Sequence, residues 1–263
     1  VTSWPAKAII TKPGTKHICY CLTPPRYFWQ KRFTSLKFIF PYLSGLRKND
    51  FVFAQRPDLM IATCKNVQKR IKKFYRRNSM VVYPGIDLTK FYPARGGGKR
   101  EKKYFLIVSR LKAYKRIDLA IKAFNQLNLE LKIIGVGEQE AALKQIANGN
   151  IKFLGQVDDK QLVEQYQNCQ ALIMPQEEDF GLTPIEAQAC GKPVIAYQRG
   201  GALETIIPNK TGLFFRSQTI NSLIQTIGGF NAKQFRVKDC TSNAKKFSEI
   251  EFLKKFKRVM AKT

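Results

Sequence analysis

Residues 177–204, EEDFGLTPIEAQACGKPVIAYQRGGALE, hold the densest set of groups able to do chemistry in this chain. Thr183 is a good N-cap type, Pro184 suits the first helical position, and Glu186 stands three residues after the cap. The spacing therefore predicts a capping box, Thr183-x-x-Glu186, opening a helix at 184. Phe180, Gly181 and Leu182 lead into it after an apolar run. Backbone N–H groups and the positive helix end would then face whatever lies beyond the strand's carboxyl end, which suits a diphosphate. Beside this seat stand three acids, Glu177, Glu178 and Asp179. Carboxylates repel phosphate but accept hydrogen bonds from hydroxyls. A ligand with both parts, such as a sugar joined to a nucleoside diphosphate, satisfies both sets of groups. Taken singly, Glu186 also reads as a plain cap and Glu178 as a solvated loop acid.

A second cluster, VSRLKAYKRIDLAIKAF (108–124), puts Ser109 and Arg110 at the end of an apolar run and Lys115 and Arg116 at the start of the next helical stretch. Cations there oppose the helix dipole, so an anionic ligand gives them a use that helix stability does not. Surface charge in a lysine-rich chain is the plain alternative. The GVGE turn at 135–138 says little, because Gly-x-Gly after a strand is common in α/β folds. None of the six cysteines forms a CxxC pair, and His17 is the only histidine. Cys19 and Cys21 would share one face of a strand, but too few partners surround them to predict a metal site. No metal is expected.

The elements that must carry these groups follow from periodicity. From residue 104, short apolar runs (YFLIV 104–108, LKII 131–134, IKFLG 151–155, ALIMP 171–175, PVIAY 193–197, GLFF 212–215) alternate with helical stretches near 116–126, 138–147, 159–168, from 184 and near 219–228. Such alternation specifies an α/β fold with a parallel, doubly wound sheet, here a complete Rossmann-like domain over 104–243. Residues 1–86 offer only HICYCL (17–22), an aromatic-rich helical region (26–57), LMIAT (59–63), a basic helix (65–76) and MVVYP (80–84). These predict a partial Rossmann-like domain. DLTKFYPARGGGKREKK (87–103) has linker composition, and 244–263 carries an apolar stripe that predicts a closing amphipathic helix docked on the protein's own surface.

With 263 residues, 44% of them hydrophobic, the chain is expected to be globular rather than disordered. It contains no apolar run of about 18 residues, and its opening segment has no charged region followed by an apolar one. Neither a transmembrane helix nor a signal peptide is predicted. The net charge is +27, distributed unevenly: residues 1–104 hold 23 Lys and Arg against 4 Asp and Glu, the remainder 23 against 15. A basic first part points to an anionic partner such as a phosphorylated substrate, a nucleic acid or an acidic membrane surface.

Together, Glu178-x7-Glu186 within DFGLTPIEAQACGKPVIA, the preceding VSRL-x3-KR, GVGE and NIKFLGQV, and the following GGALETI and TGLFF resemble retaining glycosyltransferase family 4, of the two-domain GT-B fold. VVYPGIDLTKFYP (81–93) is similar to that family's interdomain passage. HICYCLTPPRYFW (17–29) is similar to its mannosyltransferase branch, which acts on lipid-linked glycans. The resemblance implies that Arg110 and Lys115 hold the donor diphosphate with the amides of Gly181, Leu182 and Thr183, that Glu178 contacts the donor sugar as the catalytic carboxylate, and that Glu186 meets the nucleotide ribose. It implies no cofactor beyond the nucleotide-sugar substrate, with GDP-mannose favoured. Where that branch reads Cys-His-Thr-Pro, this chain has Cys21-Leu22-Thr23-Pro24, and Trp4 stands where a second histidine is found. The family's first strands have no counterpart here.

The expectation is therefore a hexosyltransferase acting on a saccharide or lipid-linked saccharide, N-terminally truncated, with a partner chain supplying the missing half. It would be cytoplasmic and peripheral at the inner face of the membrane, where KNVQKRIKKFYRR (65–77) would meet anionic lipid. An inactive nucleotide-sugar-binding remnant is the alternative. Nucleic-acid binding rests on charge alone, without a recognisable motif, and no nucleic-acid partner is expected.

Overall fold

The computed structural model describes residues 5–30, 41–94 and 104–261. Two compact units result: Val1–Pro84 with Phe252–Thr263, and Gly85–Glu251. In the first, a parallel sheet of order β1-β2-β3 is built from β1 (Ile18–Cys21), β2 (Leu59–Ala62) and β3 (Met80–Val81), with Ile18 opposite Leu59 and Ile61 opposite Met80. Helices α1 (Arg26–Trp29) and α2 (Ser44–Phe53) lie between β1 and β2 in sequence, and α3 (Lys65–Tyr75) follows β2. The Cys64 thiol caps α3 by accepting from the Val67 amide, and Arg76, at φ 55°, ends it. Val67, Ile71 and Tyr75, spaced by one turn, form the buried face.

The basic run on α3 divides in two. Lys65, Lys69, Lys72 and Lys73 are exposed. Arg70 is buried and donates to the Thr23 hydroxyl at 3.3 Å, while Arg77 donates to the carbonyls of Ala54 (3.0 Å) and Asp58 (3.2 Å). A wholly solvated basic face, as composition suggests, is thus not formed, because carbonyls and a hydroxyl claim the two arginines. Lys7 is also buried, against Asp50 (2.5 Å) and the Tyr75 hydroxyl (3.1 Å). The Trp29 indole donates to the other Asp50 oxygen at 2.7 Å. All six cysteines are buried thiols outside any disulfide.

In the second unit the strands β4 (Phe105–Val108), β5 (Leu131–Ile134), β6 (Ile151–Gly155), β7 (Leu172–Met174), β8 (Val194–Tyr197) and β9 (Gly212–Phe215) form one sheet of order β6-β5-β4-β7-β8-β9. Every pairing is parallel. The connecting helices are α4 (Ile117–Leu127), α5 (Glu140–Gln145), α6 (Asp159–Asn168), α7 (Thr183–Ala189) and α8 (Ala202–Thr205), with α9 (Ile220–Gly228) and α10 (Val237–Ala244) after β9. Phe105, Ile107, Phe124, Ile133, Ile173, Ile195 and Phe215 share one buried cluster with Leu223 and Ile227 of α9. These apolar strands, flanked by amphipathic helices, are the α/β architecture expected from the alternation.

Three expectations change. Residues 87–94, read as linker, are packed down in the second unit: Phe91 is buried with its ring edge-on to Tyr166, Lys90 pairs with Asp159 at 2.6 Å, and Gln167 donates to the Tyr92 carbonyl. Residues 95–103 of that segment lie outside the described residues, as do Trp4 and 31–40. The final helix, α11 (Glu249–Met260), starts later than its pattern suggests, since 244 still belongs to α10 and 245–247 form a 3-10 turn. Its Phe252 and Phe256 stand edge-on to Tyr20 in the first unit. The third change concerns α7. Leu182, not Thr183, occupies its N-cap, and no side chain caps it.

Candidate functional site

The order of the larger sheet decides where its loops diverge. After β4 the chain builds β5 and β6 on one side, then crosses to build β7, β8 and β9 on the other. Neighbours β4 and β7 thus flank the topological switch point, where loops leave the carboxyl ends in opposite directions and where open α/β sheets bind ligands. Arg110 and Lys115 follow β4, and Glu177 through Thr183 follow β7. Two clusters some 65 residues apart in sequence are brought to one place.

Close backbone packing holds these loops. At Gly135, φ is +129°, and a Cβ there would lie 1.9 Å from the Ser109 carbonyl oxygen. The Leu111 amide donates to the Val136 carbonyl and the Gln139 amide to that of Leu111, both at 3.0 Å. The Gly-x-Gly turn therefore owes its glycines to contact with the Arg110 loop. On the other side Gly200, at φ +63°, would place a Cβ 2.2 Å from the Glu178 carbonyl oxygen, and the Gly201 amide donates to that same oxygen at 2.9 Å. Only glycine fits either approach without displacing a site loop.

The Lys115 ammonium donates to Glu178 Oε1, with both side chains about one-sixth exposed or less. Gln176, buried, donates its amide to the same oxygen at 3.3 Å. Arg110 is exposed and has no side-chain partner among the described residues. Arg116 behaves differently from its neighbour. It sits at φ 53° as the N-cap of α4, reaching Asp118 (3.4 Å) and Gln218 (3.3 Å), and Gln218 in turn donates to the Pro175 carbonyl at 2.9 Å. One arginine thereby ties together the loops after β4, β7 and β9, although it reads from sequence as an anion ligand alongside Lys115.

Glu186 is not the return half of a capping box. Thr183 has already entered the helix, so its hydroxyl is not the cap, and the carboxylate turns to Tyr166 of α6, whose hydroxyl donates to Oε2 at 2.7 Å. Burial pushes the Glu186 carboxyl above its ordinary value, and the Tyr166 hydrogen bond opposes that rise. Tyr166 is itself fully buried, its phenol held far above its ordinary value by burial and by the facing carboxyl. Gly181 and Leu182 lead into α7, Leu182 exposed. Sequence reasoning missed Tyr166 and Gln176: neither belongs to a motif, and only the α6–α7 packing reveals the first. Leu22 lies in the first unit with its side chain exposed. Among the described residues no three or more His, Cys, Asp or Glu side chains are grouped to hold a metal ion.

The sequence profile of the family described as Glycosyl transferases group 1 matches residues 90–247, which contain every residue of this site. The chain belongs to that family. An uncharacterised glycosyltransferase of Methanocaldococcus jannaschii is 25% identical over 73% of this chain and 55% of its own. The GDP-mannose-dependent monoacylated alpha-(1-6)-phosphatidylinositol monomannoside mannosyltransferase of Corynebacterium glutamicum is 32% identical over 54% of this chain and 44% of its own. This glycosyltransferase-family chain spans about half the length of the curated relatives it matches. Among solved structures, sucrose-phosphate synthase of Thermosynechococcus elongatus superposes with a TM-score of 0.81 at 21% identity, covering 93% of this chain and 67% of that one. HepE of Anabaena in complex with UDP superposes at 0.77 and 17% identity, covering 94% and 72%. These likenesses give the fold: two parallel α/β sheets of the GT-B class, matching most of this chain and only part of theirs.

Proposed function

We propose that the second unit binds a nucleotide sugar at the β4/β7 switch point and that the chain serves retaining transfer of a hexose, mannose from GDP-mannose, to a saccharide or lipid-linked saccharide. The observation that carries this reading is the convergence there of Arg110, Lys115 and Glu178. The donor diphosphate would draw Lys115 from Glu178, join it to the exposed Arg110 and take up the amides of Gly181, Leu182 and Thr183. Glu178, released from its lysine, would accept a hydroxyl of the donor sugar, and Glu186 would meet the ribose. As the bond from the anomeric carbon to the phosphate oxygen breaks, charge grows on the departing diphosphate, where Arg110 and Lys115 would stabilise it. The acceptor oxygen would bond to the anomeric carbon on the same face and pass its proton to the leaving phosphate.

Mannose is favoured by the Corynebacterium relative, whose name states GDP-mannose dependence. UDP complexes of the Anabaena protein make the uridine nucleotides the necessary comparison. Calorimetric titration of the chain with GDP, GDP-mannose and UDP-glucose tests the reading. Guanine-nucleotide binding lost on Arg110→Ala, and sugar-dependent affinity lost on Glu178→Ala, are expected. Equal binding by the wild type and both variants would overturn it.

Among the described residues no helix is long and apolar enough to cross a membrane. The exposed lysines of α3 support peripheral attachment at the cytoplasmic leaflet, at about 1 kcal/mol per basic residue near an anionic surface. Binding to anionic vesicles should fall as salt rises, and salt-independent binding would refute this attachment. Leu22 favours a second reading, an inactive donor-binding remnant, because leucine cannot hydrogen-bond a sugar hydroxyl; a partner chain supplying further acceptor-side structure belongs to the same question. Nucleotide binding without sugar release would distinguish the remnant.

A further inference from the structure

The two glutamates of the site are neutralised in opposite ways. Glu178 faces a cation, Lys115, which an incoming diphosphate also attracts. Glu186 faces an uncharged phenol, which a diphosphate does not attract as it does a cation. Tyr166 is completely buried. Its ring is set by the edge-on contact with Phe91, centroids 6.0 Å apart, and its backbone carbonyl accepts from the Cys169 thiol. Phenylalanine would fill the same space, so the hydroxyl is present for its one hydrogen bond. That bond engages Oε2 of a half-buried Glu186 and leaves Oε1 without a partner among the described residues.

We infer that Tyr166 is a positioning residue, which fixes the Glu186 carboxylate so that its second oxygen receives the ribose hydroxyls of the donor nucleotide. This rests on the reading of Glu186 as the ribose carboxylate. An unheld carboxylate on a short helix can rotate about its last torsion; anchoring one oxygen sets the direction of the other and removes an ordering cost from binding. The hydroxyl also favours the ionised form, which accepts from both ribose hydroxyls, against the burial that favours the protonated one. The other charged or titratable groups around Glu186 are Lys90 before α4, Asp159 at the start of α6 and the Cys190 thiol at the end of α7. Lys90 favours the carboxylate and Asp159 opposes it. Because Lys90 and Asp159 pair with each other, Tyr166 is the partner that acts directly.

The test compares GDP and UDP, each against its 2′,3′-dideoxy form, on the full chain between pH 5 and 8. Wild type should prefer the ribose form, and Glu186→Gln should reduce the preference. Tyr166→Phe should cut the preference roughly tenfold, the effect of one hydrogen bond to a charged group, while leaving dideoxy binding unchanged. It should also move the acid limb of the preference to higher pH. A structural role alone would weaken both nucleotide forms equally. If wild type and Glu186→Gln behave as expected but Tyr166→Phe keeps the full preference and the same pH profile, the inference falls and the Glu186 reading stands. If wild type shows no ribose preference, both fall. Should Tyr166→Phe not fold, 3-fluorotyrosine at position 166, a stronger donor, should move the acid limb to lower pH, and an unmoved limb would overturn the inference.

Discussion

Each unit contains a buried polar staple, and the two are chemically unlike. In the first, the staple is ionic: Lys7, Asp50, the Tyr75 hydroxyl and the Trp29 indole. In the second the buried groups are amides and carbonyls, and a cation, Lys246, donates to the Asn243 amide oxygen from the surface at 3.3 Å. Asn243 of α10 donates to the Gln188 amide oxygen (2.7 Å) and the Thr205 carbonyl (2.9 Å), and Gln188 of α7 donates to the carbonyls of Pro184 and Thr205. An amide staple, with no buried charge of its own, knits α7, α8 and α10. An ionic staple at that position would compete with a diphosphate; in the first unit it has no such rival.

The contrast predicts unequal responses to deletion. Asp50→Ala leaves Lys7 buried without its counter-ion and should cost about 3–5 kcal/mol in urea unfolding. Asn243→Ala removes a neutral donor and should cost about 1–3 kcal/mol; equal costs would erase the distinction. Gly200→Ala forces a Cβ against the Glu178 carbonyl at positive φ, costing about 1–3 kcal/mol. Its sharper effect should be on donor affinity, which Asn243→Ala leaves nearly intact. If Gly200→Ala lowers stability but not nucleotide affinity, the clamp does not serve the site.

The smallest effect concerns pH, and its direction separates one buried group of each unit. Burial lowers His17 below its ordinary 6.5, so the stability it contributes is present above that pH and declines as pH falls through the lowered value. Burial raises Glu186, so its contribution is complete below the ordinary carboxylate value of 4.5 and is lost as pH rises through the raised one. Hydrogen exchange followed across pH should show an acid-side loss in the first unit that depends on His17 and, in the second, a loss on raising the pH above 4.5 that depends on Glu186. His17→Gln and Glu186→Gln should each flatten one slope only. Trp29 belongs to the first unit and residues 85–251 contain no tryptophan, so indole fluorescence gives a signal independent of the second unit.

The strands were largely legible because an apolar run in a two-sided sheet needs no partner to be recognised: LKII, IKFLG and GLFF occupy the very residues expected. Family spacing singled out Glu178 and Lys115, although not that they face each other. What sequence could not supply was choice among equivalent partners. Thr183 and Glu186 have the spacing of a capping box, yet a phenol twenty residues earlier takes the carboxylate. Arg70, Arg77 and Arg116 read as solvent-facing cations, yet a hydroxyl, backbone carbonyls and an amide side chain, respectively, claim them. Such choices depend on which surfaces meet, and composition carries no record of that.

The glycine clamps have a consequence for how this site can change. Main-chain atoms hold the loops after β4 and β7, through Gly135 against Ser109 and Gly200 against Glu178. The identity of the side chains projecting from those loops is thereby uncoupled from the scaffold that presents them. On the proposed reading, substitutions at the exposed Arg110 or Leu182 would retune which donor is accepted while the frame stays fixed, so specificity would drift across a lineage at little cost in folding. The glycines themselves are the positions at which that freedom ends.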